Sequence, residues 1–346
     1  MKIAVAMSGG VDSSVVAGLM ARAGHEVIGI TLQLYDSSPT TARKGACCAG
    51  QDIYDAKRVA DRLGIAHYVV DAEARFRGSV ISAFADAYAA GETPVPCIAC
   101  NQHLKFGDLL DMARDFGAEA MATGHYVQRL EGPGGAELHQ AVDANRDQSW
   151  FLFATTQAQL EFCRFPLGAY ASKTEVRAVA AEMGLAVAEK SDSQDICFVP
   201  SGSYAGIVAN FRPDAMAPGD VVAEDGRILG QHQGIARYTI GQAKRLPDAA
   251  AHMVVKKIEP GTRRIVVGPR GTQSREIRLR DVNWLVEPGE LRAAAKLRAR
   301  DSLHLASITP DGTGAILTLD EPALAAPGQA AVFYSGTRIL GGGFII

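Results

Sequence analysis

Ser8-Gly9-Gly10-Val11-Asp12-Ser13-Ser14 is the stretch whose reading decides the fold. It lies between a short apolar run, Lys2 to Met7, and a segment that places Val15, Val16, Leu19 and Met20 on one side at helical spacing, with Arg22 on the other and Gly24 as a stop. The setting is strand, loop, helix. Glycines let a backbone approach an anion closely, amides at a helix N-terminus point at it, and Ser8, Ser13 and Ser14 offer hydroxyls to phosphate oxygens. The loop is thus a candidate phosphate cradle, set against the plainer alternative of a glycine-rich turn without a ligand. It lacks the Gly-Lys-Ser/Thr ending of the Walker loop, so cleavage of a β–γ phosphate bond is not implied.

Outward from the loop the same grammar repeats. A second apolar run spans Glu26 to Leu34, Asp52 precedes a helix with Ala56, Val59, Ala60 and Leu63 on one face, and His67 to Val70 form a third run. Strands alternating with helices predict an α/β domain built on a parallel sheet. Further helices are expected over Phe76 to Ala90, Phe106 to Phe116 and Lys173 to Met183, the last opened by a Ser172-x-x-Glu175 capping box, with a strand over Ala118 to Thr123. Near residue 200 the pattern changes as Pro200, Gly202, Pro213, Pro218 and Gly219 punctuate the chain. From about Arg275, short runs such as Ile277-Leu279, Leu303-Leu305, Ala315-Leu317 and Ala331 to Tyr334, separated by turns at 288, 311 and 327, predict a small antiparallel β-barrel. The expected division is 1–202, a small central domain over 203–273 and a barrel over 274–346.

With 346 residues, 47% of them hydrophobic and 21% charged, the chain is neither a small disulfide scaffold nor a disordered one. No apolar stretch reaches the ~18 residues of a membrane span and no targeting signal is visible, so the expected setting is the cytoplasm, away from membranes. The net charge of −3 argues against indiscriminate coating of nucleic acid, yet Lys256 to Arg300 carry twelve Lys or Arg against five acids. That local +7 is either a phosphate-binding footprint or a solvated charged face. Six cysteines, at 47, 48, 97, 100, 163 and 197, occur without an export signal and are expected as core, metal or catalytic thiols rather than structural disulfides. Cys163 reads as core. Cys100 follows the proline-set segment Thr93-Pro94-Val95-Pro96-Cys97 and is expected near the N-terminus of the Phe106 helix, where a thiolate is favoured.

The loop resembles the pyrophosphate loop of ATP pyrophosphatases (adenine nucleotide alpha hydrolase-like domains), in which ATP is cut between α and β and AMP passes to a substrate oxygen. With Ala122-Thr-Gly-His-Tyr126, Asp147-Gln-Ser-Trp-Phe-Leu152, Asp192-Ser-Gln-Asp-Ile-Cys-Phe198, Thr239-Ile-Gly-Gln242 and Leu340-Gly-Gly-Gly343, the whole chain resembles the tRNA-specific 2-thiouridylases of the MnmA or TrmU family. That resemblance implies ATP-dependent adenylation of O2 of the wobble uridine in tRNA, then sulfur transfer to C2 from a cysteine persulfide. It implies that Ala6, Met7, Ser8, Gly9, Gly10, Val11, Asp12 and Ser13 hold ATP, with Leu32 and Gly124 near adenine and ribose and Mg²⁺ beside Asp12. It makes Cys197 the persulfide carrier and Cys100 its nucleophilic partner, the two ending as a disulfide. Val95, Pro96, Cys97, Arg146, Asp147, Gln148, Arg298 and Ala299 would meet tRNA, and a cysteine desulfurase or sulfur-relay protein would supply the sulfur.

Three departures stand out. Val95-Pro96-Cys97 replaces the family's frequent Asn-Pro-Asp, and the resulting Cys97-x-x-Cys100 pair could close its own disulfide or, with Cys197, hold an iron-sulfur cluster, a route less favoured than the metal-free persulfide. Gly241-Gln-Ala-Lys-Arg245 departs from the usual Gly-Gln-Arg-Lys-Gly. Two other readings compete: a ligase that adenylates a small carboxylate or amide, which would need no redox thiols, and a tRNA-binding protein that only senses nucleotide.

Overall fold

The computed structural model describes residues 1–34, 50–192, 196–199, 204–270 and 273–346. It contains two compact units, one made of Met1–Arg77, Cys97–Pro200 and Gly336–Ile339, the other of Gly78–Pro96, Ser201–Ser335 and Leu340–Ile346.

In the first unit, strands β1 (Lys2–Ala6), β2 (Glu26–Gln33), β3 (Ala66–Asp71) and β4 (Ala120–Ala122) precede a hairpin, β5 (Val127–Gly132) and β6 (Gly135–Gln140), and a short β7 (Cys163–Arg164). The order β3-β2-β1-β4-β7 is parallel throughout, with Val5 beside Gly29 on one flank and Ala122 on the other. β1 and β2 are buried nearly end to end because helices cover both faces, as their unbroken apolar runs require. Helix α1 (Val11–Arg22) sends Val15, Val16 and Ala17, all at 0% exposure, into that core. Each such valine contributes about 1.5–3 kcal/mol of burial. Helix α2 (Gly50–Leu63) buries Ala56, Val59 and Ala60 as expected, and helix α3 (Lys173–Glu182) buries Val176 and Ala180. Because β1 leads to β2 on one side and the chain returns to β4 on the other, a topological switch point opens at the carboxyl ends of β1 and β4, where ligands of such sheets sit.

Local boundaries differ from the sequence reading in instructive ways. Asp52 lies inside the first turn of α2, not before it, and its carboxylate meets Lys190. The helix expected from Phe106 begins at Pro96 and runs as Pro96–Ala99, a π-helical stretch Cys100–Asp108 and Leu109–Asp115. The wider π turn erases the 3.6-residue period on which the expectation rested. Cys100 is therefore one turn into the helix, and Cys97 occupies its first turn. The stretch Phe76 to Ala90 is helical too, interrupted by a π segment at Arg77–Ser82. Ser172 caps α3 through Glu175 N at 3.3 Å, but the Glu175 carboxylate reaches back to Ala171 N, so the box is offset by one residue.

In the second unit, β8 (Gly219–Ala223), β9 (Ile228–His232), β10 (Val254–Glu259) and β11 (Arg264–Gly268) form a sheet in the order β10-β11-β8-β9. The segment 78–96 belongs here: Tyr88 stacks on Tyr204 with ring centroids 4.8 Å apart, and Thr93 N donates to Pro327 O at 2.8 Å. The last six strands, β12 (Ser274–Trp284), β13 (Leu291–Lys296), β14 (His304–Asp311), β15 (Gly314–Ala323), β16 (Ala330–Ser335) and β17 (Arg338–Ile345), close as a barrel through β12 and β17. Ile277, Leu279, Ala306, Ile308, Leu317 and Phe333 fill its interior. The apolar run 303–305 faces outward instead, Leu303 and Leu305 both being exposed, because the alternation on β14 turns Ala306 and Ile308 inward. Among the described residues no helix is long and apolar enough to cross a membrane.

Candidate active site

At the switch point the residues Ala6, Met7, Ser8, Asp12, Ser13, Ile30, Leu32, Leu34, Cys100, Lys105, Leu109, Thr123, Gly124, His125 and Gln148 line a cavity of about 240 Å³. Its geometry starts from the loop. Gly9 has φ +74°, and a Cβ there would stand 2.0 Å from Asp52 O, so only glycine fits. Gly10 precedes α1 without any side chain capping the first turn, which leaves amides of that turn facing the cavity. Ser8 N donates to Ser13 Oγ at 3.1 Å, and Ser14 Oγ donates to Gly10 O at 2.8 Å, fixing the loop from within. Gly124 is in a tight but less restrictive place, since a Cβ would lie 3.0 Å from both Asp12 Cβ and Ser13 N. The opposite wall, Ile30, Leu32, Leu34 and Leu109, is apolar and suits a flat base.

Asp12 does not cap its helix. Its carboxylate accepts from Lys173 Nζ at 2.6 and 2.7 Å and from Tyr126 Oη at 2.6 Å. Lys173 also meets Asp192 at 3.0 Å, and Asp192 pairs with Arg146 at 2.8 Å and Arg177 at 3.3 Å. Burial would raise the Asp192 carboxyl, but hydrogen bonds and charge from Lys173 and Arg146 outweigh it and hold its pKa below the usual range. Burial and the Asp12 charge push the Tyr126 hydroxyl up, so it remains a donor. Beneath the loop, Lys190 Nζ donates to Gly9 O at 3.0 Å, to Asp52 at 2.7 Å and to Asp55 at 2.5 Å. The Asp12 network holds three cations against two carboxylates, an excess of positive charge next to uncapped amides that suits a polyphosphate.

The structure thus gathers Ala6, Met7, Ser8, Asp12, Ser13, Leu32, Gly124, Cys100 and Gln148 around one cavity, while Gly9, Gly10 and Val11 form its loop. Cys197 is not among the lining residues; it is half-buried in a turn whose Phe198 packs edge-on to Phe76 at 5.8 Å. Cys97 is exposed, and Cys163 is buried as core, which raises its thiol to about 12. Cys47 and Cys48, and Ser193 to Asp195 beside Cys197, lie outside the described residues. Among the described residues no group of three His, Cys, Asp or Glu is placed to hold a metal ion, so Cys97, Cys100 and Cys197 form no ready three-thiol site.

The residues expected to meet tRNA divide. Gln148 accepts from Tyr126 N at 2.9 Å at the cavity, Arg146 is tied to Asp192, and Asp147 turns inward to hold Ala141 N, Ser149 N and Ser149 Oγ. Val95 and Pro96 lead into the helix of Cys100. Arg298 is exposed and pairs with Asp301 at 3.6 Å, beside half-buried Ala299. Much of the basic stretch is likewise paired, as in Lys257 with Glu259 and Arg292 with Asp320. Sequence reading missed Lys173, Lys190 and Tyr126 as site residues; Tyr126 stood in a quoted motif, and Lys173 directly follows a recognised cap.

Family models match three segments: a tRNA methyl transferase HUP domain over residues 1–201, a tRNA methyl transferase PRC-barrel domain over 207–269 and an aminomethyltransferase beta-barrel domain over 274–345. The chain is 67% identical over 348 residues to the tRNA-specific 2-thiouridylase MnmA of Acidiphilium cryptum, with 100% of both chains covered. It is 60% identical over 357 residues to the protein of that name in Gluconobacter oxydans, covering 100% of this chain and 99% of the other. It is 54% identical over 360 residues to that of Rhodospirillum centenum, covering 100% and 91%. The model descriptions speak of methyl transfer and the relatives' names of thiolation; end-to-end identity of this size gives the relatives the greater weight.

Proposed function

The chain belongs to the tRNA-specific 2-thiouridylase family, and from that premise we propose how its residues divide the chemistry. The protein is an ATP-using enzyme of tRNA 2-thiouridine synthesis, a tRNA sulfurtransferase. ATP lies with its base against Ile30, Leu32, Leu34 and Leu109 and its phosphates on the Ser8–Ser13 loop. The O2 of the wobble uridine attacks the α-phosphorus, pyrophosphate leaves, and C2 becomes open to sulfur because AMP is a far better leaving group than an oxo group. Cys100 thiolate attacks the inner sulfur of a Cys197 persulfide; a Cys100–Cys197 disulfide forms, hydrosulfide is released onto C2, AMP departs, and an external thiol reduces the disulfide. The sulfur arrives from a cysteine desulfurase or relay protein in the cytoplasm, and Arg298 and Ala299 contribute to tRNA contact.

Asp12 is the carboxylate of the cavity, and one carboxylate with nucleotide phosphates and water is the usual setting for Mg²⁺. Its two oxygens accept from Lys173 and Tyr126 but keep further lone pairs, through which it would hold a nucleotide-borne Mg²⁺ that neutralises charge on the departing pyrophosphate.

The observation that carries this reading is the presence of Cys100 in the wall of the same cavity as the phosphate loop. A ligase that only adenylates a carboxylate or amide has no use for a thiol there. The test incubates the protein with ATP, Mg²⁺, unmodified tRNA and a persulfide donor, then measures AMP, pyrophosphate and digested nucleosides by mass spectrometry. Wobble 2-thiouridine with matching AMP is expected; AMP formed with a small carboxylate and none with tRNA would overturn it.

A further inference from the structure

Lys105 lines the cavity, and no motif drew attention to it. It stands five residues after Cys100 in the π-helical stretch, whose i→i+5 bonding brings residues five apart to one side. Its ammonium is 3.3 Å from His125 Nε2, and His125 Nδ1 is 2.8 Å from Thr123 Oγ1. An ammonium only donates, so Nε2 accepts, the ring proton is on Nδ1, and Thr123 Oγ1 receives it. Packing of the ring out of water and the Lys105 charge hold the His125 pKa well below its usual value, so the imidazole is neutral. It therefore orients Lys105 without discharging it.

Other charges facing this group are already matched. Asp12 of α1 is taken by Lys173 and Tyr126, and Asp108, further along the Lys105 helix, is paired with Arg75 at 2.8 Å. Among the described residues no carboxylate lies within ion-pair distance of Lys105; Cys100 is the remaining titratable group of that wall, since His103 points to solvent. The tip of Lys105 is moored to the residue after Gly124, and Gly124 abuts Asp12 and Ser13. Lys105 thus lines the same cavity as Ser8, Asp12 and Ser13 of the phosphate loop, while its stem rises from the helix of the thiol.

We propose that Lys105 is a catalytic residue of the adenylation step, contacting the α-phosphoryl group of ATP, with His125 as its positioning residue. This rests on the adenylation reading above. As the uracil O2 bonds to the α-phosphorus, the bond from that phosphorus to the bridging oxygen breaks and its electron pair leaves with pyrophosphate. Lys105 keeps its proton throughout and stabilises the equatorial oxygens; no oxidant or reductant enters. A fixed cation aimed where charge develops is the arrangement that lowers such barriers most.

The test uses the full-length protein with ATP, Mg²⁺ and tRNA. Lys105→Met should lower kcat for AMP and pyrophosphate formation by about 10²–10³-fold with the KM for ATP changed by less than about threefold. Lys105→Arg should recover part of the rate. His125→Leu should lose rate and His125→Gln, which keeps an acceptor, should regain it. Unchanged tRNA affinity, and an unchanged pH midpoint for alkylation of Cys100, would show that fold and thiol are intact. If Lys105→Met forms AMP at the wild-type rate, and only the thiolation and the alkylation midpoint change, Lys105 serves the thiol and the proposal fails. A wild-type protein that makes no AMP with tRNA would instead overturn the adenylation reading itself.

Discussion

Lys173 Nζ touches both oxygens of Asp12, at 2.6 and 2.7 Å, and in the same position reaches Asp192 at 3.0 Å. One buried ammonium thus joins the first turn of α1 to the start of the segment that leads to Cys197.

That sharing sets the outcome of Asp12→Ala. Lys173 keeps Asp192, so the loss of stability should stay within about 1–3 kcal/mol. The cavity, however, loses its carboxylate, and AMP and pyrophosphate formation should fall by at least about 10²-fold with tRNA binding little changed. Steady-state kinetics and a tRNA-binding isotherm check this; normal turnover would remove Asp12 from the chemistry.

Arg245 offers a test in the other direction. It replaces the glycine usual at the end of the family motif, yet it holds φ +66°, the left-handed region that costs a side chain roughly 1 kcal/mol. Its carbonyl accepts from Tyr238 Oη at 2.8 Å, a contact that does not depend on the side chain. Arg245→Gly should therefore stabilise the protein by about 0.5–1 kcal/mol in chemical denaturation. A destabilised variant would mean that the arginine side chain supports the turn.

Acid should weaken the fold in two windows. Burial lowers the pKa values of His125, His67 and His232 below 6.5, so the unfolded chain binds these protons first and stability falls as pH drops below about 6.5. Asp192 is lowered as well, so its contribution is present above the ordinary carboxylate range and vanishes as pH falls through its depressed value. Denaturation curves from pH 8 to 5 should show the first decline, and His125→Gln should flatten it; equal slopes would contradict a neutral His125.

The thiols separate two chemistries. With a Cys197 persulfide resolved by Cys100, Cys100→Ser and Cys197→Ser each lose thiolation while Cys97→Ser, altered at an exposed position, stays largely active. If Cys97, Cys100 and Cys197 instead hold a cluster, all three serine variants fail and lose bound iron together. Thiolation by metal-free protein, before and after anaerobic iron-sulfur reconstitution, decides between them.

The loop at Ser8 was legible because its glycines, serines and neighbouring apolar runs are contiguous and act locally. Ile277 and Leu317 were legible for the same reason, through alternation along one strand. Lys173 and Lys190 were not, since their partners Asp12 and Gly9 lie more than 150 residues away and a lone lysine carries no local pattern. The start of the Cys100 helix was hidden by a π turn, and the exposure of Leu303, just before β14, and of Leu305 on it by the fact that single apolar residues can also sit in water.

The membership of residues 78–96 in the second unit bears on how the chain is made. Phe84 and Tyr88 find their aromatic partner in Tyr204, and Thr93 finds its backbone partner in Pro327. On a ribosome adding about 5–20 residues per second, Tyr204 follows Tyr88 by roughly 6–23 s and Pro327 follows Thr93 by roughly 12–47 s. For that interval Phe84 and Tyr88, whose rings lie 4.9 Å apart, have only each other of this aromatic cluster, and the Tyr204 ring that completes it is still to be made.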